Sequence, residues 1–332
     1  MSVGTEETAG PETAEVPAYR VFRVRVTRVA RLGPSFTRVT FTGDDLSLFA
    51  DHGLDQRINL VFPLPERGYP HFREGDDWYR RWRTLPPEDR NPIRTYTAGA
   101  VRHGAGELDI DFVLHGATGP ASRWALAARP GDPLVVVGPD VRHRGPAGGR
   151  EWAPPRDATR LLLAGDETAV PAIAAIAESL PAHVYAEIIL EVPDPADTRV
   201  LLVPPGVRVT WLARDGAGDH GERLFAAVRE AAARLAPAGR QAAGPPPAVA
   251  GPAGGPRGAS TTAQERAGEP EDDDLWEIPD PGAAAQGGFY AWLAGEAGVV
   301  KRLRRHLVGE LGVDRRTVAF MGYWRLGRPG GD

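Results

Sequence analysis

The sequence predicts two domains of different class: an N-terminal antiparallel β-barrel over residues 19–150 and a C-terminal α/β domain over residues 156–330 with a mostly parallel sheet. Two patterns carry this. Across residues 19–138, short runs of alternating apolar and polar residues recur between Gly/Pro turns with hardly any helical periodicity. After a stretch rich in Pro, Gly and Arg at residues 145–155, the pattern switches to unbroken apolar runs, each followed by a turn and a segment of helical period. The length of 332 residues is more than one small module needs.

In the barrel, residues 19–31 set Val24 and Val26 against Arg23 and Arg25, and Arg38-Val39-Thr40-Phe41-Thr42 repeats the alternation before a Gly43-Asp44-Asp45 turn. Residues 58–62 and 107–114 continue it, the latter with Leu108, Ile110, Phe112 and Leu114 on one face and Asp109, Asp111 and Val113 on the other. Residues 133–138 read as the last strand. In the second domain Arg160-Leu161-Leu162-Leu163-Ala164 is a buried strand, and Val170, Ile173, Ile176 and Leu180 share one face of the helix after it. Residues 185–192 and 207–213 supply two more strands, 221–235 a second helix, 289–293 a fourth strand and 298–311 a last helix. Residues 1–18 are expected to be disordered. So is an insertion at 236–288, where Val249, Leu275, Trp276 and Ile278 are the only large apolar residues, too few to offset the entropy of ordering.

Composition excludes several function classes. The 39 basic and 44 acidic residues leave a net charge of -5, which argues against nucleic acid as a partner. The absence of cysteine removes disulfides, thiolate zinc sites, thiol nucleophiles and iron–sulfur clusters, so redox chemistry would need an organic cofactor. The eight histidines never pair at i, i+4, and no metal site is assigned. No stretch reaches the roughly 18 to 20 apolar residues of a membrane span, and the first residues are acidic and polar where a signal peptide is basic and then apolar. A cytoplasmic monomer is expected. Lys301 is the only lysine, which we read as genome composition without mechanistic content.

Two segments carry chemistry. In Arg94-Thr95-Tyr96-Thr97 an arginine can pair with a phosphate, the tyrosine can lie against a planar ring and Thr97 can donate a hydrogen bond to that ring's edge. A flavin nucleotide needs all three; an edge strand with an exposed arginine is the alternative. Residues 111–125 then give a strand, a glycine-containing turn and small residues opening a helix, whose free N–H groups and positive dipole end suit a pyrophosphate. Ser122 can add a hydroxyl donor, while Arg123 and Trp124 also fit surface and packing roles.

With these segments go Pro130-Gly131-Asp132, Gly138-Pro139, Gly165-Asp166-Glu167-Thr168-Ala169, Pro171-Ala172-Ile173, Val209-Thr210-Trp211-Leu212, Trp292-Leu293-Ala294-Gly295-Glu296 and Gly322-Tyr323-Trp324-Arg325-Leu326-Gly327. In this order the chain resembles the siderophore-interacting proteins of the ferredoxin-reductase-like flavoproteins. The resemblance implies an FAD-binding barrel, an NAD(P)H-binding α/β domain and reduction of a ferric siderophore by NADPH or NADH through FAD, with no iron–sulfur cluster. It implies that Arg94, Tyr96 and Thr97 hold the flavin, with Thr97 tuning N5. Asp111, Val113 and His115 would line the ring and ribityl region, and Gly119, Ala121 and Ser122 would meet the pyrophosphate. His115 also fits a structural hydrogen-bonding role.

Gly165, Asp166, Glu167, Thr168 and Ala169 stand where an open sheet binds nucleotides, past the carboxyl end of a strand. Asp166 and Glu167 would repel a pyrophosphate, so helix capping and proximity to nicotinamide or ribose both remain open. Arg214 can pair with the 2'-phosphate of NADPH or be an exposed loop arginine. Gly295 and Glu296 face the same crevice, and Tyr323 and Trp324 can stack on a ring or pack the C-terminus. Lys301, Arg302 and Arg305 can attract an anionic chelate or form a solvated helix face. Two alternatives keep these residues and change the outcome: a general flavin-dependent diaphorase with another acceptor, and a non-catalytic siderophore- or FAD-binding protein.

Overall fold

The computed structural model describes residues 16–75, 77–114, 116, 119–146, 148–216, 218–236, 275–279 and 286–327. In the N-terminal domain β1 (Tyr19–Arg31), β2 (Phe36–Thr42), β3 (Arg57–Val61), β4 (Ile93–Thr97), β5 (Val101–Arg102), β6 (Glu107–Val113) and β7 (Pro133–Pro139) form one sheet in the order β4-β3-β7-β1-β2-β6-β5. Every pairing is antiparallel. The alternation read in the sequence decides the faces: Phe22, Val24 and Val26 of β1, Val39 and Phe41 of β2, and Leu108, Ile110 and Phe112 of β6 share one core. The sheet curls until its far strands meet, with the Tyr96 ring of β4 4.8 Å from that of Phe112 on β6.

The long β3–β4 connection holds a short helix, α1 (Trp78–Thr84), which the sequence does not anticipate. Seven arginine-rich residues show no clear helical period. What holds α1 is a second aromatic cluster, in which Phe72 and buried Trp78 pack on Val21, Val61, Val135 and Val137, the outer face of the same strands. A further helix, α2 (Pro120–Ala127), follows β6.

The C-terminal domain contains β8 (Arg160–Gly165), α3 (Val170–Ser179), β9 (Tyr185–Val192), β10 (Val207–Ala213), α4 (Glu222–Leu235), β11 (Trp276–Glu277), β12 (Phe289–Glu296), α5 (Ala297–Arg304) and β13 (Val318–Trp324). The strand order is β10-β9-β8-β12-β13-β11. The expectation of a mostly parallel sheet is corrected to a mixed one: β10, β9, β8, β12 and β13 run parallel, and β11 lies antiparallel on the edge. That edge strand also corrects the extent of the insertion. Three of the insertion's four large apolar residues, Leu275, Trp276 and Ile278, pack on the sheet's two cores: Trp276 stacks on Tyr323 with ring centroids 5.8 Å apart, and Arg57 of the barrel lies over its ring at 4.9 Å. The remainder, at 237–274 and 280–285, and residues 1–15 lie outside the described residues.

No α-helix crosses from β9 to β10. The connection is a proline-rich loop with one turn, Pro195–Asp197, and it docks on the barrel. Asp197 accepts a hydrogen bond from Ser35 N at 2.8 Å, and Arg199 reaches Asp111 at 3.3 Å. The last helix changes character at its end: Arg305–Glu310 form a π-helical turn where residues 298–311 read as one helix. Apolar residues on the two faces of the sheet define two cores, one shared with α3 and with Phe36, Leu54 and Val113 of the barrel, the other with α4 and α5. Among the described residues no helix is long and apolar enough to cross a membrane.

Candidate functional site

The barrel brings the first two sequence segments together. Phe112 is flanked by Tyr96 at 4.8 Å and by Trp124 at 5.6 Å, so an aromatic run ties β4 to β6 and to α2. Trp124 also meets Phe41 and Phe62, which fixes the packing reading for it. Tyr96 is half-buried, and burial pushes its phenol up, so it stays neutral. The Arg94 Nη1 donates to the Ile93 carbonyl at 2.7 Å, and Thr97 pairs in register with Arg57 of β3. Strand alternation puts Arg94 and Tyr96 on one side of β4 and Thr97 on the other.

The start of α2 is left open. Gly119 at the N-cap gives no side-chain acceptor, Pro120 needs none, and no acidic residue stands in the first turn. Among the described residues, the N–H groups of Ala121 and Ser122, both buried at 8% exposure, therefore have no side-chain cap. An anion is the natural partner of such an end. The residues that precede it, His115, Ala117 and Thr118, lie outside the described residues.

Asp111 and Val113 sit elsewhere. They lie on the face of β6 opposite Phe112, where Arg38 grips Asp111 with two hydrogen bonds at 2.7 and 3.0 Å and Arg199 adds a third contact. Val113 packs against the apolar core of the C-terminal domain. The structure thus gives both residues to the domain interface, because neighbouring residues of a strand face opposite ways and Phe112 takes the inner side.

At the carboxyl edge of the second sheet the ends of β8, β12 and β13 converge on Asp166. Its Oδ1 accepts from Thr168 N at 2.9 Å, and its Oδ2 accepts from Glu296 N and from Trp324 Nε1, each at 2.8 Å. Gly295 makes this approach possible: at φ +145° it has no side chain, and a Cβ there would stand 2.6 Å from Asp166 Oδ2. Gly165 is equally constrained, since a Cβ would stand 2.5 Å from that of Ala169. Glu296 caps α5 through Val299 N at 2.8 Å and also accepts from Leu326 N. Of the two readings left open for Asp166 and Glu167, capping is what Asp166 does, while Glu167 does not cap; Glu296 caps the next helix.

Glu167 is fully buried and held by Arg214 through two hydrogen bonds at 2.7 and 2.8 Å. Burial alone would raise its carboxyl, but His220 and Arg214 outweigh that and bring it down to about 2. Arg214 also reaches Glu191 at 3.1 Å, and Glu191 caps α4 through Gly221 N and Leu224 N. The arginine expected to meet a 2'-phosphate is therefore already committed to two carboxylates.

His220 is the residue that sequence reasoning missed. Its Nε2 stands 3.6 Å from Asp166 Oδ2 and 3.8 Å from Glu167 Oε2, within ion-pair range and beyond hydrogen-bond length, and its ring meets Trp324 edge-on at 5.1 Å. Burial lowers its pKa, yet the two carboxylates prevail and raise it. Burial and the charge of Glu167 raise the Asp166 carboxyl as well. A single histidine in a Gly/Asp loop carries no spacing signal.

Tyr323 and Trp324 are fixed by contacts, Tyr323 by Trp276 and Trp292, and Trp324 by its bond to Asp166. Lys301, Arg302 and Arg305 are not near this edge. They lie farther along α5 and in the turn after it, on the sheet face turned away from the barrel, where Arg302 pairs with Glu222 and covers Phe225 at 4.5 Å.

Comparison with known proteins agrees with this architecture. Residues 158–327 match the family model described as siderophore-interacting protein, and residues 25–143 match the siderophore-interacting FAD-binding domain. The ferric vibriobactin reductase ViuB of Vibrio cholerae is 36% identical over 180 residues, 54% of this chain and 61% of that protein. An NADPH-dependent ferric-chelate reductase of Escherichia coli is 33% identical over 207 residues, 59% of this chain and 72% of that protein. The crystal structure of the siderophore-interacting protein SipS from Aeromonas hydrophila is similar at a TM-score of 0.62 and 29% identity, covering 94% of each chain. A barrel with an open helix start, joined to an α/β sheet with a built carboxyl edge and matched along both halves, belongs to the siderophore-interacting protein family.

Proposed function

We propose that the chain is an FAD-dependent oxidoreductase that takes electrons from NADH or NADPH and reduces a ferric siderophore, releasing ferrous iron. The observation that carries this reading is the uncapped start of α2, a helix tied to Tyr96 of β4 through the Trp124 and Phe112 rings, in the domain that matches an FAD-binding model.

The donor set suits a dinucleotide. The amides of Ala121 and Ser122, with Gly119 allowing close approach, and the Arg94 guanidinium would hold the phosphates. Tyr96 would lie against the ring, and the Thr97 hydroxyl, on the other side of β4, would meet the ring's edge only where the ring passes the free edge of that strand. When bound, FAD supplies the change from two-electron hydride chemistry to the single-electron steps that a ferric centre takes. Overall, one reduced nucleotide becomes its oxidised form plus one proton while two ferric ions become ferrous. Ferrous iron is a poorer match for the hard oxygen donors of a chelate, so it leaves.

The chain's own part is binding and orientation, and no acid or nucleophile is required of it. Asp166 ties the ends of β8, β12 and β13 together, which gives the nucleotide edge a fixed floor. The basic face of α5 stands on the far side of the sheet and takes no part in this reading.

The test is the visible spectrum of the purified protein under nitrogen, before and after NADPH or NADH and then a ferric siderophore with a ferrous trap. A flavin band that bleaches with the nucleotide and recovers as trapped ferrous iron appears is the expected result. A band untouched by either nucleotide points to a carrier, recovery with quinones but not siderophores points to a diaphorase, and no flavin binding at all rejects the reading.

A further inference from the structure

In an open α/β sheet a dinucleotide lies across the carboxyl edge where the strand order reverses, here between β8 and β12, with the ends of β9 and β10 on one side. NADPH differs from NADH by a 2'-phosphate, and a site that prefers NADPH must offer that phosphate a cation. Arg214 is the cation at the end of β10. Its Nη1 donates to Glu167 Oε2 at 2.8 Å and to Glu191 Oε1 at 3.1 Å, and its Nη2 donates to Glu167 Oε1 at 2.7 Å. The side chain is 15% exposed and its two partners 1% and 0%, so the charge is neutralised below the surface.

The surroundings add negative charge. Backbone bonds from Arg214 N to Val192 O and from Asp215 N to Pro193 O continue the β9–β10 pairing past the strands, which sets the loops bearing Asp194 and Asp215 side by side. Asp215 and Asp219 are exposed and Asp194 is half-exposed. The neighbouring arginines point to other duties: Arg223 donates to the Ala213 carbonyl, and Arg199 reaches Asp111 across the domain interface.

We propose that this chain takes NADH in preference to NADPH, because Glu167 and Glu191 withhold Arg214 from a 2'-phosphate and Asp194, Asp215 and Asp219 repel one. The inference rests on the reductase reading only in naming the nucleotide as electron donor.

The test uses the full-length, FAD-loaded protein with two readouts. Calorimetric titration is expected to give NAD+ an affinity at least about tenfold above that of NADP+, and anaerobic flavin bleaching is expected to favour NADH by a similar factor. NADP+ binding as tightly as NAD+ overturns the proposal. The variant Asp194→Asn/Asp215→Lys, in which the new asparagine keeps an oxygen for the Ala196 N–H that Asp194 caps, is expected to narrow the gap to within about threefold, and Glu167→Gln, which loosens the hold on Arg214, to move it the same way. A gap unchanged in both variants overturns the charge argument. If neither nucleotide bleaches the flavin while NAD+ still binds more tightly, the reductase reading fails and the specificity stands; if neither nucleotide binds, both fail.

Discussion

The start of α2 and the turn after β8 are alike in place, since each follows a strand and opens on a glycine. They differ in who answers the free N–H groups. At Gly119-Pro120-Ala121-Ser122 no side chain among the described residues caps the helix, an end that suits an external anion. At Gly165-Asp166-Glu167-Thr168 the chain supplies its own carboxylate, Asp166, which accepts from Thr168 N and from two neighbouring strand ends. In the proposed function the first is the phosphate site, and the second is a scaffold whose charges are already paired. An internal acceptor is what separates them.

The largest effect that can break this contrast is on stability. Arg214→Met leaves buried Glu167 and Glu191 without their cation, and removing one partner of a buried pair costs about 3 to 5 kcal/mol. Thermal unfolding is expected to drop sharply, with the FAD-to-protein ratio of the surviving folded fraction unchanged. A melting temperature equal to that of the parent protein would show that the network is ornamental to the fold. Next comes the open site. Arg94→Ala removes a charge-assisted contact of about 1.5 to 3 kcal/mol, a loss of about 10- to 100-fold in FAD affinity, so the variant should emerge from desalting as apoprotein. Full occupancy would sink the phosphate role.

A pair of alanines sharpens the same comparison. Gly295→Ala places a Cβ 2.6 Å from Asp166 Oδ2 at a φ of +145°, and strain of this kind costs about 1 to 3 kcal/mol. Gly119→Ala meets no atom within 4 Å of its Cβ and sits at φ -106°, an ordinary backbone. Denaturant titration should separate them, with the first variant destabilised and the second close to the parent. Equal stabilities would mean that the carboxyl edge is not tightly built.

What the sequence could show follows from the range of its signals. Strand alternation is local, and β1, β2, β6, β9 and β10 were legible because each shows its own period or apolar run. Helix α1 and strand β11 were not, because seven and two residues carry too little pattern and both are held by aromatic contacts with distant strands. Strand β13 is a short apolar run with no partner strand nearby in sequence, and only its last residues, Tyr323 and Trp324, draw notice, for ring stacking or C-terminal packing. The site divides in the same way. Arg94, Tyr96 and Gly119 are candidates by residue type alone, whereas the fate of Arg214 depends on Glu167, 47 positions away, and Asp111 turns to the interface by strand parity. His220 had no signal at all, since its meaning comes from two carboxylates that only folding brings within 4 Å.

The smallest effect belongs to that histidine. His220 has a folded-state pKa raised above 6.5: burial opposes the charge, but Glu167 and Asp166 outweigh it. A base raised on folding contributes stability that is complete below about pH 6.5 and is lost as pH climbs through the folded value. Asp166, raised above 3.8 by burial and by Glu167, slopes the same way at lower pH, whereas Glu167, held at about 2, contributes above 4.5 and loses that contribution as pH falls toward 2. Melting temperatures measured from pH 5 to 9 should therefore decline at the alkaline end in the parent protein, and His220→Gln should flatten that decline while leaving the acid limb in place. The same alkaline slope in both proteins would mean that His220 carries no extra proton in the fold, and the carboxyl edge would then hold Asp166 and Glu167 against Arg214 alone.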